Sequence, residues 1–158
     1  GLLLRKYILA CCFLLLSCSS VFAAEKENIR WYPLFETDGY ELSLDTSNFI
    51  SNLEKLDSKG TYEVNYWVRY QKPESPEKID QNISNQINLI SGSSRHRIIT
   101  IRVTSPEGTN SKESATGWER LLPGSFESKL LQSVLDYDKT RVALKQEHEE
   151  KEGAKPSR

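Results

Sequence analysis

Two histidines, His96 and His148, are the whole imidazole stock of this 158-residue chain. Neither has a carboxylate or second imidazole at ligand spacing, and His96 sits between Arg95 and Arg97, which reads as a solvated strand end rather than a metal site. Asp136-Tyr137-Asp138 offers two carboxylates at a helix end, but a calcium site needs several more hard oxygen ligands than the local sequence supplies. A Gly-x-Ser-x-Gly frame is missing around Gly117-Trp118 and Gly124-Ser125-Phe126, so no nucleophile elbow is written here. Ser91-Gly92-Ser93-Ser94-Arg95 resembles an anion cradle only loosely, because no helix pattern follows it. Asn82-Ile83-Ser84 is a formal glycosylation sequon, which carries little weight behind a bacterial-looking leader. The chain therefore reads as non-enzymatic, with neither cofactor nor metal assigned. A hydrolase would require His96 beside a serine and a carboxylate in one cleft.

What remains is a basic cluster, Arg95, His96, Arg97 and Arg102, and a run of aromatics, YEVNYWVRY, over 62–70. The cluster reads as a solvated face or as a receptor for acidic glycans or host proteins. In the aromatic run, Tyr62, Val64, Tyr66, Val68 and Tyr70 fall on one face of a strand, and Glu63, Asn65, Trp67 and Arg69 on the other. The first set is expected in a core. Trp67 is the aromatic left for a partner or dimer surface, with Arg95, Arg97 and Arg102 as its basic companions.

Several elements must position these residues. Asp38-Gly39 joins IRWYPLF (29–35) to the alternating YELSLD (40–45) as a hairpin, with Pro33 placing the first strand at an edge or at a bulge. The stretch 45–60 suits a short helix capped by Ser47 or an ordered loop. Residues 61–71 form the clearest strand. Ser75, Pro76 and the spacing of Ile79, Ile83, Ile87 and Ile90 predict an amphipathic helix, against which three asparagines and β-branched isoleucine weigh. Alternation returns over 95–104, a turn follows at 105–108, and a weaker strand spans 111–119, ending near Trp118. Residues 123–137 make the best helix, capped by Ser125, with Phe126, Leu130, Val134 and Tyr137 as its stripe and Leu131 reinforcing it. From 138 to 158 the chain is densely charged and without aromatics, which predicts a disordered tail or a fraying helical extension.

At the other end, residues 1–23 have the layout of a secretory signal peptide: Arg5 and Lys6, a roughly ten-residue apolar run, then small residues. Val21-Phe22-Ala23 before Ala24 is the preferred cleavage site. Leu15-Leu16-Ser17-Cys18 also fits a loose lipobox, in which Cys18 would be acylated and anchor the protein to a membrane. The three cysteines, Cys11, Cys12 and Cys18, all lie in this leader, so cleavage after Ala23 would leave a chain without thiols. Removing Arg5 and Lys6 from the 21 basic residues leaves 19 against 22 acidic ones, a balance that gives no support for a nucleic-acid partner. One domain of modest size is expected over 24–137.

Trp31 opening the first strand, a Tyr-led strand ending at Asp45 with Ser47 and Ile50 after it, Val64 to Arg69 as V-x-Y-W-V-R, and Trp118 to Ser125 as W-x-R-L-L-P-G-S resemble the surface-adhesin protein E family of exported Gram-negative proteins. The resemblance covers roughly 29–137. It implies an α+β fold, a curved antiparallel β-sheet with the C-terminal helix packed on one face. It further implies a location in the periplasm or at the outer membrane and cell surface, binding of host extracellular-matrix or serum proteins, and a homodimer. Related sequences tend to carry a cysteine pair, one near the end of the last helix, where this chain has Val134-Leu135-Asp136-Tyr137. No catalytic residue comes with the family. The alternative is a periplasmic or outer-membrane lipoprotein of the same fold, with an accessory or structural role and no host ligand.

Overall fold

A computed structural model describes residues 29–113 and 116–153, so the segment expected to be a leader, with Cys18, Ala23 and Ala24, lies outside the described residues. The fold is α+β: an antiparallel sheet of eight strands with one long helix across one face. The strands are β1 (Trp31–Thr37), β2 (Tyr40–Asp45), β3 (Ile50–Ser51), β4 (Thr61–Gln71), β5 (Lys78–Asn88), β6 (Ser94–Ser105), β7 (Gly108–Glu113) and β8 (Glu119–Arg120), and the helix α1 is Phe126–Gly153. Their order across the sheet is β1-β2-β4-β5-β6-β7, with β3 on β4 and β8 on β6.

Asp38 (φ 50°) and Gly39 (φ 79°) both take the left-handed conformation at the β1–β2 turn, the geometry an Asp-Gly hairpin favours. Pro33 lies on edge strand β1, next to a shift in register between Pro33 and Phe35, as its missing N–H requires. β4 behaves as its alternation dictates. Tyr62, Val64, Tyr66 and Val68 are buried with Leu42, Leu44 and Ile83, and Leu130, Leu131, Val134 and Leu135 of α1 close over them.

The helix expected over 76–90 is instead β5, paired residue by residue with β4 and β6. A spacing of four is common to both periods: Ile79, Ile83 and Ile87 share one face of a helix, and they also share one face of a strand because four is even. The polar residues decide between them. Asp80, Asn82 and Ser84 line the opposite face of the strand, while Asn85, left on the core side, accepts a 2.7 Å hydrogen bond from the Tyr66 hydroxyl. Asn-rich, β-branched sequence is poor helix material, and two long neighbouring strands supply the pairing.

Other expectations shift in detail. Over 45–60 two single 3₁₀ turns, Thr46–Asn48 and Leu53–Lys55, flank β3, and the cap of the first is Asp45, whose carboxylate accepts from the Ser47 N–H at 2.9 Å. The weak strand over 111–119 is divided between β7 and β8, with Trp118 just ahead of β8. Ser125 does cap the last helix, accepting from the Ser128 N–H at 3.2 Å. The helix does not stop at 137: it runs to Gly153, so of the two readings of the charged segment, tail or helical extension, residues 138–153 take the extension. Asp138 is fully buried, and Arg141 and Lys145 reach Glu54 at 3.6 and 3.1 Å, tying the extension to the second 3₁₀ turn.

Candidate functional site

With α1 on one side, the sheet's other face is open, and its side chains are the ones left over from the core alternation: Arg69 and Trp67 on β4, Asp80 and Asn82 on β5, Thr100 and Arg102 on β6. Strand register sets Arg69, Asp80 and Arg102 side by side. Asp80 is completely buried and accepts from Arg69 Nε at 2.8 Å, Arg69 Nη2 at 3.1 Å and Arg102 Nη2 at 3.1 Å. Each guanidinium is then stacked on an indole. Arg69 lies 3.7 Å from the ring centre of Trp31, and Arg102 lies 4.6 Å from that of Trp67. The result is a chain across four strands, Trp31, Arg69, Asp80, Arg102, Trp67, in which each member fixes the next.

Below it, Asn65 and Asn82 exchange amide hydrogen bonds at 3.0 and 3.3 Å, and Asn65 also donates to Ser84 Oγ at 2.9 Å. Asn82 is buried in mid-strand, which removes the sequon from an accessible loop. At the β1 end Asp45 receives Arg30 Nε and Nη2 at 3.3 Å and Asn48 Nδ2 at 3.0 Å. Burial alone would raise this carboxyl, but hydrogen bonds from Arg30, Asn48 and the Ser47 N–H, with the Arg30 charge, hold it below the usual carboxylate range.

The four residues singled out in the sequence for a partner surface separate into two groups. Trp67 and Arg102 belong to the Asp80 chain and are half-buried. Arg95 and Arg97 lie about 16 Å or more away along β6 at ~3.3 Å per residue, and both guanidiniums sit over Trp118, 4.8 and 5.0 Å from its ring centre. Trp118 and Arg120 were not picked out as site residues from the sequence. The only hint was the Trp-x-Arg motif itself, because the β8 pairing that brings Arg120 opposite Arg95 is a tertiary contact.

His96 is not a solvated strand end. Its neighbours Arg95 and Arg97 take the open face, so His96 points to the helix side, where it lines a small cavity of about 150 Å³ with Tyr66, Tyr70, Asn85 and Glu127. Its Nε2 lies 3.9 Å from Glu119, and its buried Nδ1 has no hydrogen-bond partner among the described residues. No serine lines that cavity, so the serine, histidine and carboxylate of a hydrolase do not converge there. Asp136 and Asp138 diverge as well: Asp136 is exposed and accepts from Gln132, whereas Asp138 points into the core. Among the described residues no three His, Cys, Asp or Glu side chains gather to hold a metal, and no helix is long and apolar enough to cross a membrane.

Comparison with known proteins adds no relative: no protein-family model matches the chain, and neither a curated protein nor a solved structure is significantly similar to it.

Proposed function

We propose that this chain is an exported binding protein of the cell envelope, similar to surface-adhesin protein E, that takes a protein partner on the open face of its sheet. The observation that carries the reading is the Trp31–Arg69–Asp80–Arg102–Trp67 chain. Tryptophan and arginine dominate binding hot spots, and here both are held in fixed orientation before any partner arrives, which lowers the entropy cost of association. The motifs around Trp31, Val64 to Arg69 and Trp118 to Ser125 support a host matrix or serum protein as that partner.

Purified residues 24–158 are expected to bind vitronectin, laminin or plasminogen saturably, and Trp67→Ala is expected to weaken that binding at least about tenfold, as truncation of a hot-spot aromatic does. Absence of saturable binding to all three would overturn the adhesin reading. Protease shaving of intact cells supplies the second check, because a strictly periplasmic location would leave an accessory role instead.

A further inference from the structure

Seven arginines lie among the described residues, and they divide sharply. Arg30, Arg69, Arg102 and Arg141 each meet a carboxylate within 4.0 Å, on Asp45, Asp80 and Asp138. Arg95, Arg97 and Arg120 meet none among the described residues, and all three are exposed. These three also share one place. Arg95 and Arg97 flank the Trp118 ring, and Arg120 is the direct cross-strand partner of Arg95. Like charges directly opposite on neighbouring strands are destabilising; Glu36 opposite Glu41 beside the β1–β2 turn is another such pair, but the Arg95–Arg120 pair has a third uncompensated guanidinium, Arg97, sharing the same indole.

The surroundings indicate what such a corner would hold. Arg95 is steered by a relay in which Gln86 donates to Glu63 at 2.8 Å and accepts from Arg95 Nε at 2.6 Å, while the terminal nitrogens of the guanidinium make no hydrogen bond among the described residues. Beside it an open depression of about 420 Å³ is lined by Arg95, Arg120, Trp118, Asn88 and the hydroxyl-bearing Thr61 and Ser93. That volume falls within the ~300–1,000 Å³ typical of small-molecule sites. A second depression, of about 320 Å³, continues past Trp118 along Asn52, Asn65 and Ser84, with Ile50, Val64 and the Glu63 carboxylate also in its wall, so the anionic groups belong to the first depression. Guanidinium forks match sulfate or carboxylate oxygens. Amides and hydroxyls suit sugar hydroxyls, and the indole offers an apolar flank.

From this juxtaposition we propose that the Arg95, Arg97, Arg120 and Trp118 corner is a binding site for an anionic saccharide, a sugar chain carrying sulfate or carboxylate groups. An acidic peptide is the less suitable occupant of the depression beside Arg95 and Arg120, whose lining apart from Trp118 is hydroxyl, amide and guanidinium groups with no aliphatic subsite for side chains. The proposal deepens the reading of the open face as the binding face and rests on it.

The test is calorimetric titration of the purified chain with a heparin-derived hexasaccharide, its desulfated form, an uncharged hexasaccharide and polyglutamate of equal charge. Saturable binding of the heparin fragment is expected, with no binding of the uncharged sugar and weaker binding of polyglutamate. Retention of the desulfated form assigns carboxylate recognition, and its loss assigns sulfate. Arg120→Gln is expected to weaken binding about tenfold, the size of one lost charge-assisted contact. Lys139→Gln, which removes an exposed charge on α1, is expected to leave it unchanged. The proposal is overturned if the heparin fragment does not saturate, if Arg120→Gln binds as the parent does while folded by circular dichroism, or if polyglutamate binds equally well. Loss of saccharide binding with matrix-protein binding intact would sink this site alone. Failure of both would sink the binding reading of the face.

Discussion

The Tyr62 hydroxyl donates a 2.6 Å hydrogen bond to Asp138 Oδ2, joining the central strand to the helix across 76 positions of sequence. Both residues are fully buried, and Arg141 closes the other side of the carboxylate, with Nη2 at 2.8 Å from Oδ1. Such a charge-assisted bond is stronger than a neutral one, and its loss leaves a carboxylate short of a partner in a dry site. Tyr62→Phe is expected to destabilise the fold by about 1–2 kcal/mol in urea denaturation. A chain ended at Tyr137, which removes Asp138 and its Arg141 partner but keeps the buried Leu130, Leu131, Val134 and Leu135, is expected to lose about 1–3 kcal/mol, because the buried Tyr62 hydroxyl is left without its acceptor. Equal stability of the truncated and full chains would show that the pair does not anchor the helix.

Asp80 holds Arg69 and Arg102 while fully buried, and the side chain of Arg69 is itself only 18% exposed. Asp80→Ala would leave two guanidiniums facing each other without a counter-charge. A loss of about 3–5 kcal/mol is expected, the range for removing one partner of a buried pair. Asp80→Asn, which keeps one acceptor, should fall between Asp80→Ala and the parent. The same variant should also release the indoles, seen as a red shift of tryptophan emission.

Alkaline pH should unfold the protein through its core phenols. Burial, with the Glu127 charge added, pushes Tyr70 from 10.0 up to about 12, and burial raises Tyr62 and Tyr66 further. A phenol whose folded pKa is raised contributes stability in full below its unfolded value and loses it as pH climbs from there through the folded value. Stability is therefore expected to be flat to about pH 10 and to decline above it, with a shallower slope in Tyr66→Phe. At the acid end Asp45 acts in the opposite sense: its lowered carboxyl stabilises above the unfolded value near ~3.9, and that contribution disappears as pH falls.

Gly39 tests the hairpin. Its φ of 79° is one that side chains rarely adopt, yet a Cβ there would meet nothing within 4 Å. Gly39→Ala is expected to cost about 1 kcal/mol from backbone strain alone, read as a shift of the urea midpoint without a change in slope.

Part of this architecture is written locally. The strict alternation of 62–70 needs only the two-residue period of a strand to separate Tyr62, Val64, Tyr66 and Val68 from Trp67 and Arg69. Asp38-Gly39 and Ser125 act within a few residues of themselves, so the hairpin and the helix start are legible without a fold. The isoleucines of β5 are not, because their spacing satisfies two periods and only pairing with β4 and β6 chooses. Nor is the helix end, since the charged residues after Tyr137 read alike in a tail and in an extension until Asp138 finds Tyr62 and Lys145 finds Glu54.

For the site the division is sharper. Sequence alone determined that Trp67 faces away from the core and that Arg95 and Arg97 share a strand face. Only the tertiary structure decided that Arg102 is bound to Asp80, that His96 faces the helix, and that Arg120 and Trp118 complete the corner begun by Arg95 and Arg97. The reason is physical: periodicity assigns a residue to a face through its own backbone, whereas a charge is paired or left unpaired by the register of strands that are distant in sequence.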